Sequence, residues 1–167
     1  MIFHRFTFLK AIVYNLDGNY FHSEWCTFSS LHICLLLYEK LPSSDELEEI
    51  KRRFRENQGL PAELIAAFKT MPTDATPMDV LQAAVPMLAQ HDEDVKQRDQ
   101  TIEASLRMAL KLIPKFSAIV AAWHRIRNGQ EPVEPLAELG HAANFLYMLT
   151  GEVPDEEAAR FMDAALV

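Results

Sequence analysis

The chain has 167 residues, of which 49% are hydrophobic and 24% are charged, so its length and composition fit one globular domain. Its net charge of −8 argues against nucleic acid and anionic membranes as partners, because both attract basic patches. Two cysteines are too few for a disulfide scaffold, and no apolar run approaches the roughly 20 residues of a membrane span. We therefore expect a soluble cytoplasmic protein.

The N-terminal 25 residues carry the one β signal that we identify. Between Phe6 and Phe21, β-branched and aromatic residues flank the dipeptide Asp17-Gly18, which suits a tight hairpin turn. We predict a small, divergent β-hairpin segment over residues 1–25. A mainly helical domain is expected to follow over residues 26–167.

Capping residues and apolar periodicity predict about six or seven helices in that domain. The predicted starts are Thr27, Ser43 or Ser44, Pro61, Met78, Arg98, Leu136 and Pro154. Pro86 and Pro114 lie inside predicted helices, which they should bend without breaking. The acidic segment HDEDV, residues 91–95, is predicted to be a loop.

The longest predicted helix runs from Arg98 to Gly129, and the rest of the chain is organised around it. Several of its apolar residues recur at alternating steps of four and three, which places them on one face that we interpret as core. These residues are Ile102, Leu106, Ala109, Ile113, Phe116, Val120 and Trp123. On another side, Ala118 and Ala122 are small enough for a second helix to pack closely.

The clustered residues His22, Cys26, His32 and Cys34 are of the types that zinc prefers. On a helix, however, His32 and Cys34 would point about 200° apart, so they could not share a metal ion. Packed cysteines and partly exposed histidines are the alternative, and we predict no metal site.

Two further positions invite a chemical role. His124, with Arg125 and Arg127, could bind an anion, but basic residues at a helix end also complement its carbonyl groups. His141 has no nucleophile or orienting acid beside it in the sequence. The five glycines are widely spaced and form no phosphate loop. The patterns therefore predict no catalytic and no cofactor-binding residue.

Three segments together resemble the large helical domain of citrate synthases, especially the bacterial and archaeal branch that includes 2-methylcitrate synthases. The segments are PTDATPMDVLQAAVPML, KLIPKFSAIVAAWHRIRNGQEPVEP and HAANFLYMLTGEVPDEEAARFMDAAL, within a match from about Cys26 to Val167. The resemblance implies the N-terminal part of that domain, and a homodimer in which the long helix packs against another helix in antiparallel pairs. The expected interface residues are Leu81, Val85, Leu88, Leu106, Leu110, Ile113, Ser117, Ala118 and Ala122.

The chain departs from the family pattern at several positions. Family members usually have histidine at Thr76, arginine near Gln82, serine near Pro86 and glycine near Glu39. The segment GNYFHSEW, residues 18–25, also lacks the family's Tyr-Arg-Gly-Tyr-like stretch.

The resemblance implies an acyltransferase that converts acyl-CoA and oxaloacetate into citrate or 2-methylcitrate. Its two histidines and one aspartate, which enolise the acyl methyl group and activate oxaloacetate, lie downstream of the matched segments, whereas His124 and His141 match other positions. We expect a truncated member that is inactive alone and binds acyl-CoA and oxaloacetate only if a missing half completes it. The alternative is a non-catalytic helical module that dimerises or pairs with a related chain. A third possibility is a frameshifted gene product, which we would also expect to be inactive.

Overall fold

A computed structural model describes residues 28–166, and within this range the chain forms eight α-helices and no strand. The helices are α1 Phe28–Tyr38, α2 Ser44–Asn57, α3 Ala62–Thr70, α4 Pro77–Ala89, α5 Glu93–Gln97, α6 Ile102–Arg127, α7 His141–Thr150 and α8 Glu156–Ala165. None of these eight helices is long and apolar enough to cross a membrane. The mainly helical prediction is confirmed, with more helices than expected, while the predicted hairpin and Thr27 lie outside the described residues.

Side-chain caps explain why several helices begin where the sequence predicts. The hydroxyl of Ser43 accepts a hydrogen bond from the Glu46 amide at 3.3 Å, and the Glu46 carboxylate accepts one from the Ser43 amide at 2.8 Å. This reciprocal capping box selects Ser43 over Ser44 as the cap of α2. Thr76, at a position where the family usually has histidine, caps α4 by accepting from the Asp79 amide.

The prediction of a loop at residues 91–95 is wrong, because the short helix α5 begins there. The carboxylate of Asp92 accepts a hydrogen bond from the Asp94 amide at 2.9 Å and so caps this helix. Lys111, on α6, then pairs with Asp92 at 2.9 Å and with Asp94 at 2.6 Å. These ion pairs join residues 17 or more positions apart and hold the short helix against α6. Local sequence patterns do not reveal contacts over such a separation.

Helix α6 is the centre of the fold, because α2, α3, α4, α5 and α7 all pack against it. It continues through Pro114, and α4 continues through Pro86, as predicted. The largest apolar cluster joins α3, α4 and the second half of α6. Its buried members are Leu64, Phe68, Val80, Ala84, Leu88, Ile119, Ala122 and Trp123.

The C-terminal segment differs from its prediction at one boundary. A single helix is predicted to begin at Leu136, but α7 begins at His141, with Gly140 as its N-cap residue. The residues between them form a turn that Asn144 holds in place. The last helix, α8, begins after Asp155, whose carboxylate accepts a hydrogen bond from the Ala158 amide at 2.7 Å. Its predicted start near Pro154 is therefore confirmed.

Glu39 follows α1 in a left-handed conformation, with φ of 56°, while its amide donates to the Leu35 carbonyl at 3.0 Å. Side chains other than glycine are strained in this conformation, and the family usually has glycine near this position. We therefore expect Glu39→Gly to increase the free energy of unfolding by about 1 kcal/mol. Urea denaturation followed by circular dichroism would measure the change.

Glu39→Ala is the matched control for this substitution. It removes the same carboxylate but retains the strained backbone, so we expect it to give none of the stabilisation. Equal stabilisation by the alanine and glycine variants would show that the carboxylate, and not the backbone conformation, limits stability here.

Candidate functional site

One side of α6 is buried by other helices of the same chain. Ala118 and Ala121 pack with Met148 of α7, while Leu110 packs with Ile50 and Phe54 of α2. The buried residues of α6 are Ala104, Leu110, Pro114, Ser117, Ala118, Ile119, Ala121, Ala122 and Trp123. The close helix packing that the small residue Ala118 predicts thus takes place inside the chain, against α7.

The opposite side of α6 is apolar and incompletely covered. Ile102 is 75% exposed, and five further residues that share its face are only partly buried. We call this set the open stripe; it consists of Ile102, Leu106, Ala109, Ile113, Phe116 and Val120. Of the seven residues interpreted from their spacing as a core face, only Trp123 is buried. That interpretation is therefore wrong for most of the face.

The nine residues expected at an interface fall into two groups. Five are already buried within this chain: Leu88, Leu110, Ser117, Ala118 and Ala122. Four are partly buried: Leu81, Val85, Leu106 and Ile113. Leu106 and Ile113 belong to the open stripe, and they are the two expected interface residues of α6 that this chain leaves only partly buried.

The described residues contain no group of three or more histidine, cysteine, aspartate or glutamate side chains that could hold a metal ion. His32 is partly buried and Cys34 is 1% exposed, while His22 and Cys26 lie outside the described residues. Burial raises the pKa of the Cys34 thiol, which disfavours the thiolate that metals and electrophiles require. Cys34 therefore packs as a small apolar residue in the cluster with Ile50.

At the basic end of α6, Arg125 donates hydrogen bonds to backbone carbonyl groups. This favours a structural role for the basic residues over anion binding. Arg125 Nε donates to the Glu131 carbonyl at 2.7 Å, and its Nη1 donates to the Leu149 carbonyl at 3.5 Å. These bonds connect the end of α6 to the segment that follows it and to the end of α7. His124 is exposed beside them.

Two clefts border α2, and the charges on their walls are largely paired within the chain. The larger, of about 310 Å³, lies between α1, α2 and α6, and its Lys40 and Arg53 bond to Glu46 and Glu49. The hydrogen bond from Lys40, followed by the one from the Ser43 amide, lowers the pKa of Glu46 to about 2. Because Lys40 and Arg53 already pair with carboxylates of the same chain, this cleft does not select an anion.

The smaller cleft, of about 240 Å³, lies between α2 and α6. Its basic residues are Arg52, Arg53, Arg107 and Lys111. Each of them pairs with a carboxylate of the same chain, as Arg107 does with Asp94 at 3.0 Å. The walls of this cleft are therefore also largely neutralised.

Three buried polar residues and one partly buried histidine, which sequence patterns miss, form two hydrogen bonds that connect α1 with α8 and the end of α2 with α7. Ser29 Oγ of α1 donates to Asp163 Oδ1 of α8, and Gln58 Nε2, directly after α2, bonds to His141 Nδ1 of α7 at 3.4 Å. We call Ser29, Gln58, His141 and Asp163 the polar cluster. The bonded partners are 134 and 83 positions apart, so no local signal could have revealed them.

His141 lies between an aromatic ring and a carboxylate. Its ring contacts Phe54 in an edge arrangement at 5.5 Å between centroids. Burial lowers the pKa of His141, and the nearby Asp163 carboxylate offsets this effect in part. His141 is therefore held mainly in its neutral form, and its hydrogen-bond partner is Gln58 and not the Asp163 carboxylate.

Comparison with known proteins gives a consistent result. The family model described as "Citrate synthase, C-terminal domain" matches residues 21–167. Citrate synthase of Deinococcus radiodurans is 40% identical over 147 residues, which cover 86% of this chain and 38% of that protein. Citrate/2-methylcitrate synthase of Bacillus subtilis is 36% identical over 133 residues, covering 80% of this chain and 35% of that protein.

The same similarity extends to solved structures. The crystal structure of citrate synthase from Pyrobaculum aerophilum matches with a TM-score of 0.76 and 35% sequence identity. The match covers 82% of this chain and 36% of that chain. The chain thus spans little more than a third of the length of the proteins that it matches.

Proposed function

Because the chain belongs to the citrate synthase family, we propose that it forms part of the helical scaffold of an acyltransferase that acts on acyl-CoA and oxaloacetate. The product would be citrate or 2-methylcitrate, the two products named among its relatives. Residues 26–167 would contribute the N-terminal part of the large helical domain, and residues 1–25 a divergent segment. The proposed setting is the cytoplasm.

We propose further that residues 1–167 do not catalyse this reaction alone. The family's two histidines and aspartate lie downstream of the segments that this chain matches, and the chain spans 38% of the Deinococcus relative. Without a base for the methyl proton and donors for the enolate oxygen, the transition state is not stabilised more than the ground state. Acyl-CoA and oxaloacetate would be turned over only when a second half completes the site.

The open stripe is the observation that carries the proposal of a homodimer through α6. It presents six apolar residues, from Ile102 to Val120, on one side of a 26-residue helix whose opposite side is packed within the chain. Burying such a stripe against its counterpart in a second copy would remove apolar surface from water. A related, longer chain could supply the same helix.

Turnover by the purified chain tests the proposed inactivity. Residues 1–167 are mixed with oxaloacetate and either acetyl-CoA or propionyl-CoA, and release of the CoA thiol is recorded with a thiol reagent. We expect no release above an enzyme-free blank, while Deinococcus citrate synthase serves as the positive control. Oxaloacetate-dependent release by the purified chain would contradict the proposal.

A non-catalytic interaction module is the second candidate, favoured by large apolar side chains left in solvent. Leu36, Ile102 and Phe161 are 74%, 75% and 77% exposed. Such surface commonly marks interaction sites. Light scattering after size-exclusion chromatography tests this candidate, since a well-behaved monomer contradicts it, whereas a stable dimer without turnover agrees with both candidates.

The nucleotide sequence after the codon for Val167 separates these two candidates. Reading frames that encode histidine-bearing segments of the family would favour a scaffold that belongs to a complete enzyme. Their absence from every frame would favour the interaction module.

A further inference from the structure

We propose that α5 and its flanking residues form a detachable strap that ion pairs hold on α6. The strap, residues 91–100, lies between the end of α4 and the start of α6. Helices α2, α3, α4 and α7 pack against α6 through apolar clusters, whereas the strap is attached through charges. In this view, screening of the ion pairs releases the strap while the rest of the domain stays folded.

The strap buries little apolar surface against the domain. Within residues 91–100, Asp92, Asp94 and Asp99 are partly buried, and all the other residues are exposed. Val95, the one large apolar residue of this range, is 39% exposed. With five residues, α5 is also far shorter than the roughly 12 residues at which an isolated helix becomes marginally stable in water. The hydrophobic effect and helix propensity therefore contribute little to its attachment.

Two cations of α6 bind the aspartates of the strap. Lys111 Nζ lies 2.9 Å from Asp92 Oδ1 and 2.6 Å from Asp94 Oδ2. Arg107 Nη2 lies 3.0 Å from Asp94 Oδ1 and 4.0 Å from Asp99 Oδ2. The side chains of Asp92 and Asp94 are 18% and 15% exposed, so these pairs are screened less than pairs on an open surface. Because the charged groups share partners, they act as one network.

The backbone at the end of α5 favours the open state. Arg98 has a φ of 54°, in the left-handed region that is disfavoured for side chains other than glycine. In the closed strap its amide donates to the Val95 carbonyl at 3.1 Å, and the Lys96 amide donates to the Asp92 carbonyl at 3.2 Å. Opening breaks these two exposed hydrogen bonds and relieves the strain at Arg98. Segments with few buried contacts are the ones that open locally.

Opening of the strap changes the charge on one wall of the smaller cleft, between α2 and α6. Arg107 and Lys111 lie on this wall, and carboxylates of the strap are their ion-pair partners. Arg52 and Arg53 on the other wall pair with Glu49 of their own helix and keep this partner in either state. The closed strap therefore neutralises the α6 wall of the cleft, and the open strap leaves two cations there in solvent.

Hydrogen exchange of the full 167-residue chain at low and high salt, at one pH, tests this proposal. Between about 0.01 M and 1 M sodium chloride, the Debye length falls from roughly 30 Å to 3 Å. We expect protection of the Lys96 and Arg98 amides to fall about tenfold over this range, and that of the α3 amides to change less than about twofold. An equal fall in α3, or no fall in the strap, would overturn the proposal.

Asp94→Asn and Glu93→Gln are a matched pair of variants, since each removes one negative charge from α5. Asp94 pairs with Lys111 and Arg107 of α6, whereas Glu93 pairs with Lys96 inside α5 at 2.6 Å. At low salt, Asp94→Asn should lower the protection of the strap about tenfold and remove most of its salt dependence. Glu93→Gln should change the protection less than about twofold. Equal effects would overturn the proposal, because the charge of α5 and not its pairing with α6 would then matter.

The reactivity of the Lys111 amine reports the state of the strap independently of hydrogen exchange. Acetylation by a succinimidyl ester, followed by mass spectrometry, gives its rate relative to Lys69, whose partner Glu131 lies outside the strap. We expect this relative rate to rise severalfold in Asp94→Asn and to stay the same in Glu93→Gln. An unchanged rate in Asp94→Asn would overturn the proposal. The salt series on the unmodified chain decides the question if Asp94→Asn does not fold.

Discussion

Ala118→Glu is expected to unfold this domain, whereas Ala109→Glu on the same helix is expected to leave it folded. The two alanines are nine positions apart on α6, which at about 100° per residue places them on opposite sides. Ala118 is 3% exposed and packs with Ala121 and Met148. An unpaired carboxylate there should lower the free energy of unfolding by about 4 kcal/mol, as measured by urea denaturation.

Ala109→Glu introduces the same group into the open stripe, where Ala109 is only partly buried. Glutamate is a good helix former, so the stability of the isolated chain should change by less than about 1 kcal/mol. If the open stripe is the interface of a homodimer, two buried carboxylates would face each other, and the assembly should dissociate. Light scattering after size-exclusion chromatography would measure this change.

The pair of variants distinguishes an interface from a core. A dimer that survives Ala109→Glu would exclude the open stripe as its interface. A folded, monomeric Ala118→Glu would instead show that the alanine side of α6 contacts a second chain. Ala122, which is 5% exposed within the cluster of α3 and α4, should behave like Ala118.

Asn144→Leu should destabilise the domain by about 3 kcal/mol, although leucine has a similar size. Asn144 is 1% exposed, and its amide closes the turn that precedes α7. Its Oδ1 accepts from the Leu136 amide at 2.8 Å, and its Nδ2 donates to the Leu136 carbonyl at 2.7 Å and the Leu139 carbonyl at 3.2 Å. The substitution would leave these backbone groups without their partner.

Asn128→Leu is the control for this substitution. Asn128 also bonds to backbone, through Nδ2 to the His124 carbonyl at 2.7 Å, but it is exposed and water can replace that bond. We expect Asn128→Leu to lower the free energy of unfolding by less than about 1 kcal/mol in the same denaturation experiment. Equal effects of the two variants would show that burial of Asn144 is not the source of its contribution.

The local part of this fold could be predicted from the sequence because helix signals act over a few residues. Ser43, Thr76 and Asp155 accept bonds from amides three positions on, and a proline in α4 or α6 is compatible with a continuous helix. The resemblance to citrate synthases also depends on contiguous segments. The helical class, the starts of α2, α3, α4 and α8, and the family were therefore determined by the sequence alone, whereas the predicted starts at Arg98 and Leu136 were not correct.

The direction that each helix faces was decided by tertiary structure. The spacing of its residues identified the open stripe correctly as one apolar face. An apolar face can pack in the core of its own chain or bind a second chain, and the hydrophobic period is the same in both cases. Only the positions of α2, α3, α4 and α7 show that the alanine side is the buried one. The polar cluster is likewise decided by tertiary structure. Ser29 and Asp163 are 134 positions apart in the sequence, and only the folding of the chain brings them into contact.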